Sequence, residues 1–381
     1  MTRRPVFQEV TETATRANPP QGGMIDAGHK GARGAIRLWL ILLFVLVAAM
    51  IALGGATRLT GSGLSITEWK PVTGAIPPMD AAGWQAEFDK YKLIPQFTQV
   101  NPDMDLAGFK QIYWWEWSHR LLGRMIGLIW ALGFFGFLVT KRIPTGWTPR
   151  LLVLGLLGGA QGAIGWWMVH SGLSGDMVRV ASYRLAVHLG LAFAILGLIA
   201  WSVLSLGRSE AELLRARRAG EAKLFAMTTG LMHLAFCQVL IGALVAGIDA
   251  GRMYTGWPTM GGEWIPATIW DGTVGWRNFF ENPALVQFIH RAVAYLLTVF
   301  AVVVFLRARR SPHPVTRGAY GVMIVALAVQ VLLGIMNVIH ASPLPLALAH
   351  QIGAVALFTL ILRARHHARY PYETSVRGTI R

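Results

Sequence analysis

The chain has 381 residues, 54% of them hydrophobic and only 14% charged, with a formal net charge of +16. So apolar a composition excludes an ordinary soluble domain and points to a bilayer as the solvent. The basic excess does not indicate nucleic acid, because 23 of the 35 Lys and Arg fall in residues 1–37, 140–150, 207–223, 307–317 and 363–381, alternating with segments that hold most of the acid.

In chain order, residues 1–37 are polar and include Glu9, Glu12 and Asp26. They lack the apolar middle of a signal peptide and the acid-poor composition of a transit peptide, and are expected to form a short disordered cytoplasmic tail. A crossing helix needs about 20 mostly apolar residues for roughly 30 Å of hydrocarbon. Eight stretches qualify: 38–57, 119–139, 151–169, 184–206, 224–247, 285–306, 318–339 and 344–362. The expected fold is therefore all-α, a multi-pass membrane protein of eight transmembrane helices. The positive-inside rule places both termini in the cytoplasm. The single cysteine, Cys237, lies in the fifth span; it excludes an intrachain disulfide and reads as a small packing residue.

The first four spans echo the last four, so the eight read as two pseudo-symmetric four-helix bundles, 38–206 and 224–362. A cytoplasmic linker at 207–223 joins them, and a cytoplasmic tail follows at 363–381. Span one ends at Gly54-Gly55 and leads to Trp69 and Pro71; span five carries Gly242 and leads to Trp257 and Pro258. Spans two and six open with His119-Arg120 and His290-Arg291. Spans three and seven contain Gln161-Gly162-Ala163-Ile164-Gly165 and Gln330-Val331-Leu332-Leu333-Gly334, and end at His170 and His340; spans four and eight carry His188 and His350. Both bundles enter from the same side, which makes this a parallel repeat about an axis along the membrane normal.

Spans two, four, six and eight all run inward, so their four matched histidines are expected within the first turn or two, at similar depth near the outer face. A ring nitrogen in hydrocarbon needs a partner, and intramembrane ionisable groups are functional by default. A headgroup or backbone carbonyl would satisfy one histidine, but four at matched positions point to ligation. Zinc or copper would need further donors that the neighbouring sequence scarcely offers. Haem brings four nitrogens of its own and asks for one or two axial imidazoles. The expected pairs are His119 with His188 and His290 with His350.

Arg120 and Arg291 read as partners for haem propionates, or as snorkelling side chains. Glu116 stands three residues before His119, on the same helical face, where the equivalent before His290 is Gln287. A carboxylate beside a macrocycle suits acid–base work or stabilisation of a developing cation, so one bundle reads as reactive and the other as electron-transferring. His170 and His340 fall at span ends in reach of water, and the tryptophans at 114–117 and 166–167 match an interfacial belt.

Four segments resemble the haem A synthase family of bacterial inner membranes and mitochondria: Gly-Gly-Ala-Thr-Arg-Leu-Thr-Gly-Ser-Gly-Leu-Ser at 54–65, Glu-Trp-Ser-His-Arg-Leu-Leu-Gly-Arg at 116–124, Gly-Trp-Trp-Met-Val at 165–169 and Leu-Ala-His-Gln at 348–351. The likeness runs from about residue 38 to 365, and the absence of an outer-loop cysteine pair matches the cysteine-free branch. It implies oxidation of the C8 methyl of haem O to the formyl group of haem A for cytochrome oxidase. Haem b would sit at His290 and His350, substrate haem O at His119 and His188, and Glu116 would act beside it. It further implies supply from a haem O synthase and an unidentified electron partner, and leaves homo-oligomerisation open. The rival reading is a di-haem b electron-transfer protein of the cytochrome b or quinol oxidase type.

Overall fold

The computed structural model describes residues 32–372. Among these residues the protein is all-helical, with eight helices long and apolar enough to cross a membrane: α1 (Arg33–Leu59), α2 (Leu106–Val139), α3 (Thr148–Gly172), α4 (Ser182–Leu206), α5 (Ala222–Gly247), α6 (Pro283–Ala308), α7 (Pro314–Ile339) and α8 (Leu344–Arg369). In hydrocarbon every backbone N–H and C=O must be satisfied within the segment, which is why these apolar runs become helices. Proline in the first turn of α3, α6, α7 and α8 occupies positions whose N–H has no intrahelical partner.

Two boundaries move relative to the sequence reading. The expected N-terminal tail lies outside the described residues up to 31, but Arg33 already opens α1; at the other end α8 continues through 363–369, and 373–381 lie outside the described residues. The linker at 207–223 contains a short helix, Glu210–Arg218, whose Ser209 and Glu212 form a reciprocal capping box.

The larger correction concerns α2. Its helix starts at Leu106, capped by the Asp105 carboxylate, which accepts from the Gly108 N–H, so His119 lies well inside the helix rather than at its opening turn. The polar-looking stretch before His119 is helical because it has its own apolar partner. Phe109, Ile112 and Tyr113 pack against Trp84, Phe88 and Tyr91 of a second helix, Ala81–Lys92, in a buried cluster separate from the main core. Lys90 donates to Glu68 and Glu87 at 2.9 Å each, and the ammonium groups of Lys70 and Lys90 hold the Glu68 carboxyl below the usual range.

Helices α1, α2, α3 and α4 pack in a closed ring in which α2 faces α4 and α1 faces α3; α5, α6, α7 and α8 form a second ring in which α6 faces α8. The rings join through α1, α4, α5 and α8, and the main core, including Phe193, Leu196, Leu231 and Phe358, lies along that seam. Arg58, at the end of α1, donates to the carbonyls of Ala246 and Gly247 at the end of α5 and pairs with Asp249, which also pairs with Arg179. Farther in, the Gln351 amide donates to Ile51 O at 2.7 Å. Cys237 faces outward from α5 instead of filling the core.

Phe109 is fully buried in the cap over α2. Phe109→Ala is expected to cost about 3–5 kcal/mol in that cap, and limited proteolysis should then cut between residues 70 and 105 before any helix–helix loop elsewhere.

Candidate functional site

His119, His188, His290 and His350 fall on α2, α4, α6 and α8, the even-numbered helices that face one another across each ring. His119 and His188 thus project from facing helices of the first ring, and His290 and His350 from facing helices of the second. All four sit towards the loop-bearing end, the end with residues 60–105, 173–181, 248–282 and 340–343. The structure therefore places the two pairs that the sequence suggested on facing helices at the same end. His170 and His340 are exposed at helix ends; His170 stacks on Trp166 and the His340 Nδ1 faces the Met336 carbonyl at 2.8 Å.

Each histidine leans on a glycine of the odd-numbered helix before it. A first side-chain carbon at Gly54 would stand 2.9 Å from His119 Cε1, at Gly165 2.9 Å from His188 Cε1, at Gly242 3.1 Å from His290 Cε1 and at Gly334 3.0 Å from His350 Cε1. A larger residue would force the imidazole to shift at Gly54 and Gly165 and would crowd it at Gly242 and Gly334.

Three glutamines, which the sequence reading did not single out as site residues, complete the arrangement. Gln161, Gln238 and Gln330 donate through Nε2 to the backbone carbonyls of His188, His290 and His350 at 3.0, 3.0 and 2.9 Å. The same amide nitrogens lie 3.1–3.4 Å from ring nitrogens of those histidines. Each glutamine precedes its glycine by one helical turn, and that repeated spacing was the signal available in the sequence.

Above the histidines lies a rim built the same way in both rings. Glu116 is buried, 3% exposed, and its carboxylate is fully engaged: Oε1 accepts from Arg120 Nε and Nη2 at 3.1 and 2.6 Å, and Oε2 accepts from Ser65 Oγ and the Ile66 N–H at 2.8 and 2.9 Å. Arg120 also donates to the carbonyls of Ile66 and Glu68. In the second ring Gln287 donates to Tyr254 O, and Arg291 donates to the carbonyls of Tyr254, Gly256 and Thr259. Both arginines therefore hold the loop that follows the first helix of their ring, and the buried Nε of Arg291 stands without a partner.

Among the described residues no group of three or more His, Cys, Asp or Glu converges to hold a bare metal ion. Histidines on facing helices, the unpartnered buried Nδ1 atoms of His119 and His188, and the glycine floors fit a flat macrocycle that carries its own equatorial nitrogens.

The profile of the family described as cytochrome oxidase assembly protein (COX15-CtaA) matches residues 37–362, a span that contains all four histidines, both arginines and Glu116. The chain belongs to this family. The chain is 86% identical to the haem A synthase of Paracoccus denitrificans (strain Pd 1222), over 381 residues and 100% of both chains. It is 60% identical to the haem A synthase of Ruegeria sp. (strain TM1040), over 99% of this chain and 100% of that one. It is 61% identical to that of Ruegeria pomeroyi, over 99% of each.

The glycine contacts give a direct test. Gly334→Ala adds one methyl group at 3.0 Å from the His350 ring and is expected to displace the imidazole. If His350 ligates a haem, purified protein should then lose most of it, measured by pigment extraction, while Gly318→Ala on the same helix, where nothing lies within 4 Å, should leave the content unchanged.

Proposed function

We propose that this chain is a haem A synthase, a membrane-bound oxidoreductase that converts the C8 methyl group of haem O, through an alcohol, to the formyl group of haem A. The observation that carries this reading is identity of 86% over the whole chain to a protein of that activity. The two facing histidine pairs agree with it, because the reaction needs a place for a substrate macrocycle and a second redox centre. Haem O would lie between His119 and His188 as substrate. His290 and His350 would hold haem b, which supplies one-electron exchange when bound.

The assignment of unlike roles to the rings is supported by the rim. Glu116 and Gln287 occupy equivalent places, and only Glu116 carries charge. Because its oxygens already accept from Arg120, Ser65 and Ile66, Glu116 serves best as a fixed negative charge beside the reacting carbon, stabilising positive charge as it develops, rather than as a mobile proton acceptor. Arg120 and Arg291 would attract propionates chiefly through charge, since their N–H groups mostly hold loop carbonyls, with Arg291 Nε the donor left over.

A bacterial inner membrane with both termini in the cytoplasm fits the alternation of basic segments along the chain. A haem O synthase would supply the substrate, the product would enter cytochrome oxidase assembly, and a further electron partner would close the redox cycle.

Glu116→Ala should leave haem b in purified protein and reduce haem A output about 100-fold or more, as loss of a preorganised charge does; normal output would remove Glu116 from the chemistry. Extracted pigment supplies the second test. Haem O, haem A or a hydroxylated intermediate beside haem b is expected, whereas two equivalents of haem b would favour the di-haem electron carrier.

A further inference from the structure

The four histidine environments are not equal, and the odd one is that of His119. One turn before their glycines, α3, α5 and α7 carry Gln161, Gln238 and Gln330; at the corresponding place in α1, one turn before Gly54, stands Met50. A second exchange accompanies it on the facing helix. One turn beyond the histidine, α4, α6 and α8 carry Ala192, Ala294 and Ala354, whereas α2 carries Gly123. The two differences touch each other, for Met50 Cε lies 3.5 Å from where a side chain at Gly123 would begin. The thioether thus packs in van der Waals contact with the site that carries alanine in the other three helices.

The chemical effect is the loss of an amide. A carboxamide both donates and accepts, while a thioether has no donor and is a weak acceptor. His188, His290 and His350 each have a glutamine on their own carbonyl and against their ring. For His119 no side chain takes that part; its buried Nδ1 has no partner, as is also true of His188, but of the two only His188 has an amide on its carbonyl. Groups that contact a metal-bound imidazole from outside fix its ring orientation, and their loss typically costs about 10–100-fold in affinity.

We propose that Gln161, Gln238 and Gln330 are positioning residues that lock three axial imidazoles, and that the Met50–Gly123 pair leaves His119 as the exchangeable ligand through which the substrate haem enters and the product haem leaves. His188 keeps hold of the macrocycle during exchange, and the His290/His350 pair, locked on both sides, retains its haem permanently. This inference rests on the reading of the four histidines as axial ligands.

The test uses the full chain purified in detergent. The double variant Met50→Gln/Gly123→Ala installs the missing amide with the matching alanine. It is expected to slow loss of the first-ring haem on dilution about tenfold or more and to lower turnover, with haem b content unchanged as the control for folding. Gln330→Leu removes an amide and is expected to shift the low-spin electron paramagnetic resonance signal of haem b, which reports the angle between the two ring planes, and to move its midpoint potential. Wild-type haem loss in the double variant, or a wild-type signal and potential in Gln330→Leu, overturns the proposal. His350→Ala separates the two levels: if that variant keeps haem b with an unaltered signal, the ligand reading itself fails and the inference falls with it.

Discussion

The contact between an imidazole and a bare glycine recurs four times, and the rest of the structure is arranged around it. Helices in lipid gain little from hydrophobic association, because the tails are as apolar as the side chains, so they adhere by close packing at small residues and by hydrogen bonds between helices. The same device holds the rings elsewhere. Trp39 lies over Gly133 and donates to Ile129 O, and Trp130 lies over Gly155 and donates to Leu151 O. The histidine site is thus no addition to a finished scaffold. The packing that joins an odd helix to its even neighbour is also what fixes the direction of the ring.

At the rim, a one-atom difference separates two otherwise matching constructions. Glu116 and Gln287 are each three residues before a histidine, each beside an arginine that gathers the carbonyls of a loop. The glutamine gives the second ring a neutral anchor. The glutamate gives the first ring a buried ion pair, whose desolvation is offset by the 2.6 Å contact with Arg120 and by two further donors. Electrostatic character is therefore set by one side-chain atom on a shared frame.

Much of this was legible in the sequence. Apolar length located all eight spans because the bilayer imposes self-sufficiency on the backbone, and the duplicated landmarks located the histidine pairs. The start of α2 was not legible: the apolar run opens only at 119, and Phe109 and Tyr113 gain their meaning from the partners Trp84 and Tyr91, distant in sequence. The partners of Glu116 escaped for the same reason, since Ser65 and Ile66 are about fifty positions away. Gln238 escaped for a different one. Comparing halves matches α5 with α1, where Met50 breaks the pattern; comparing α5 with α3 and α7 reveals the common glutamine and glycine. Cys237 had no periodic signal strong enough to tell an inward from an outward position.

Gln351 follows His350 directly, and its amide reaches Ile51 on the helix whose Gly54 lies under His119, with Gly55 making room for its side chain. A histidine of one ring and the glycine floor of the other are consequently joined by a few covalent bonds and one hydrogen bond. Their separation is set by protein chemistry and not by the surrounding lipid, so the spacing of the two centres should stay constant as the membrane thickens, thins or comes under tension.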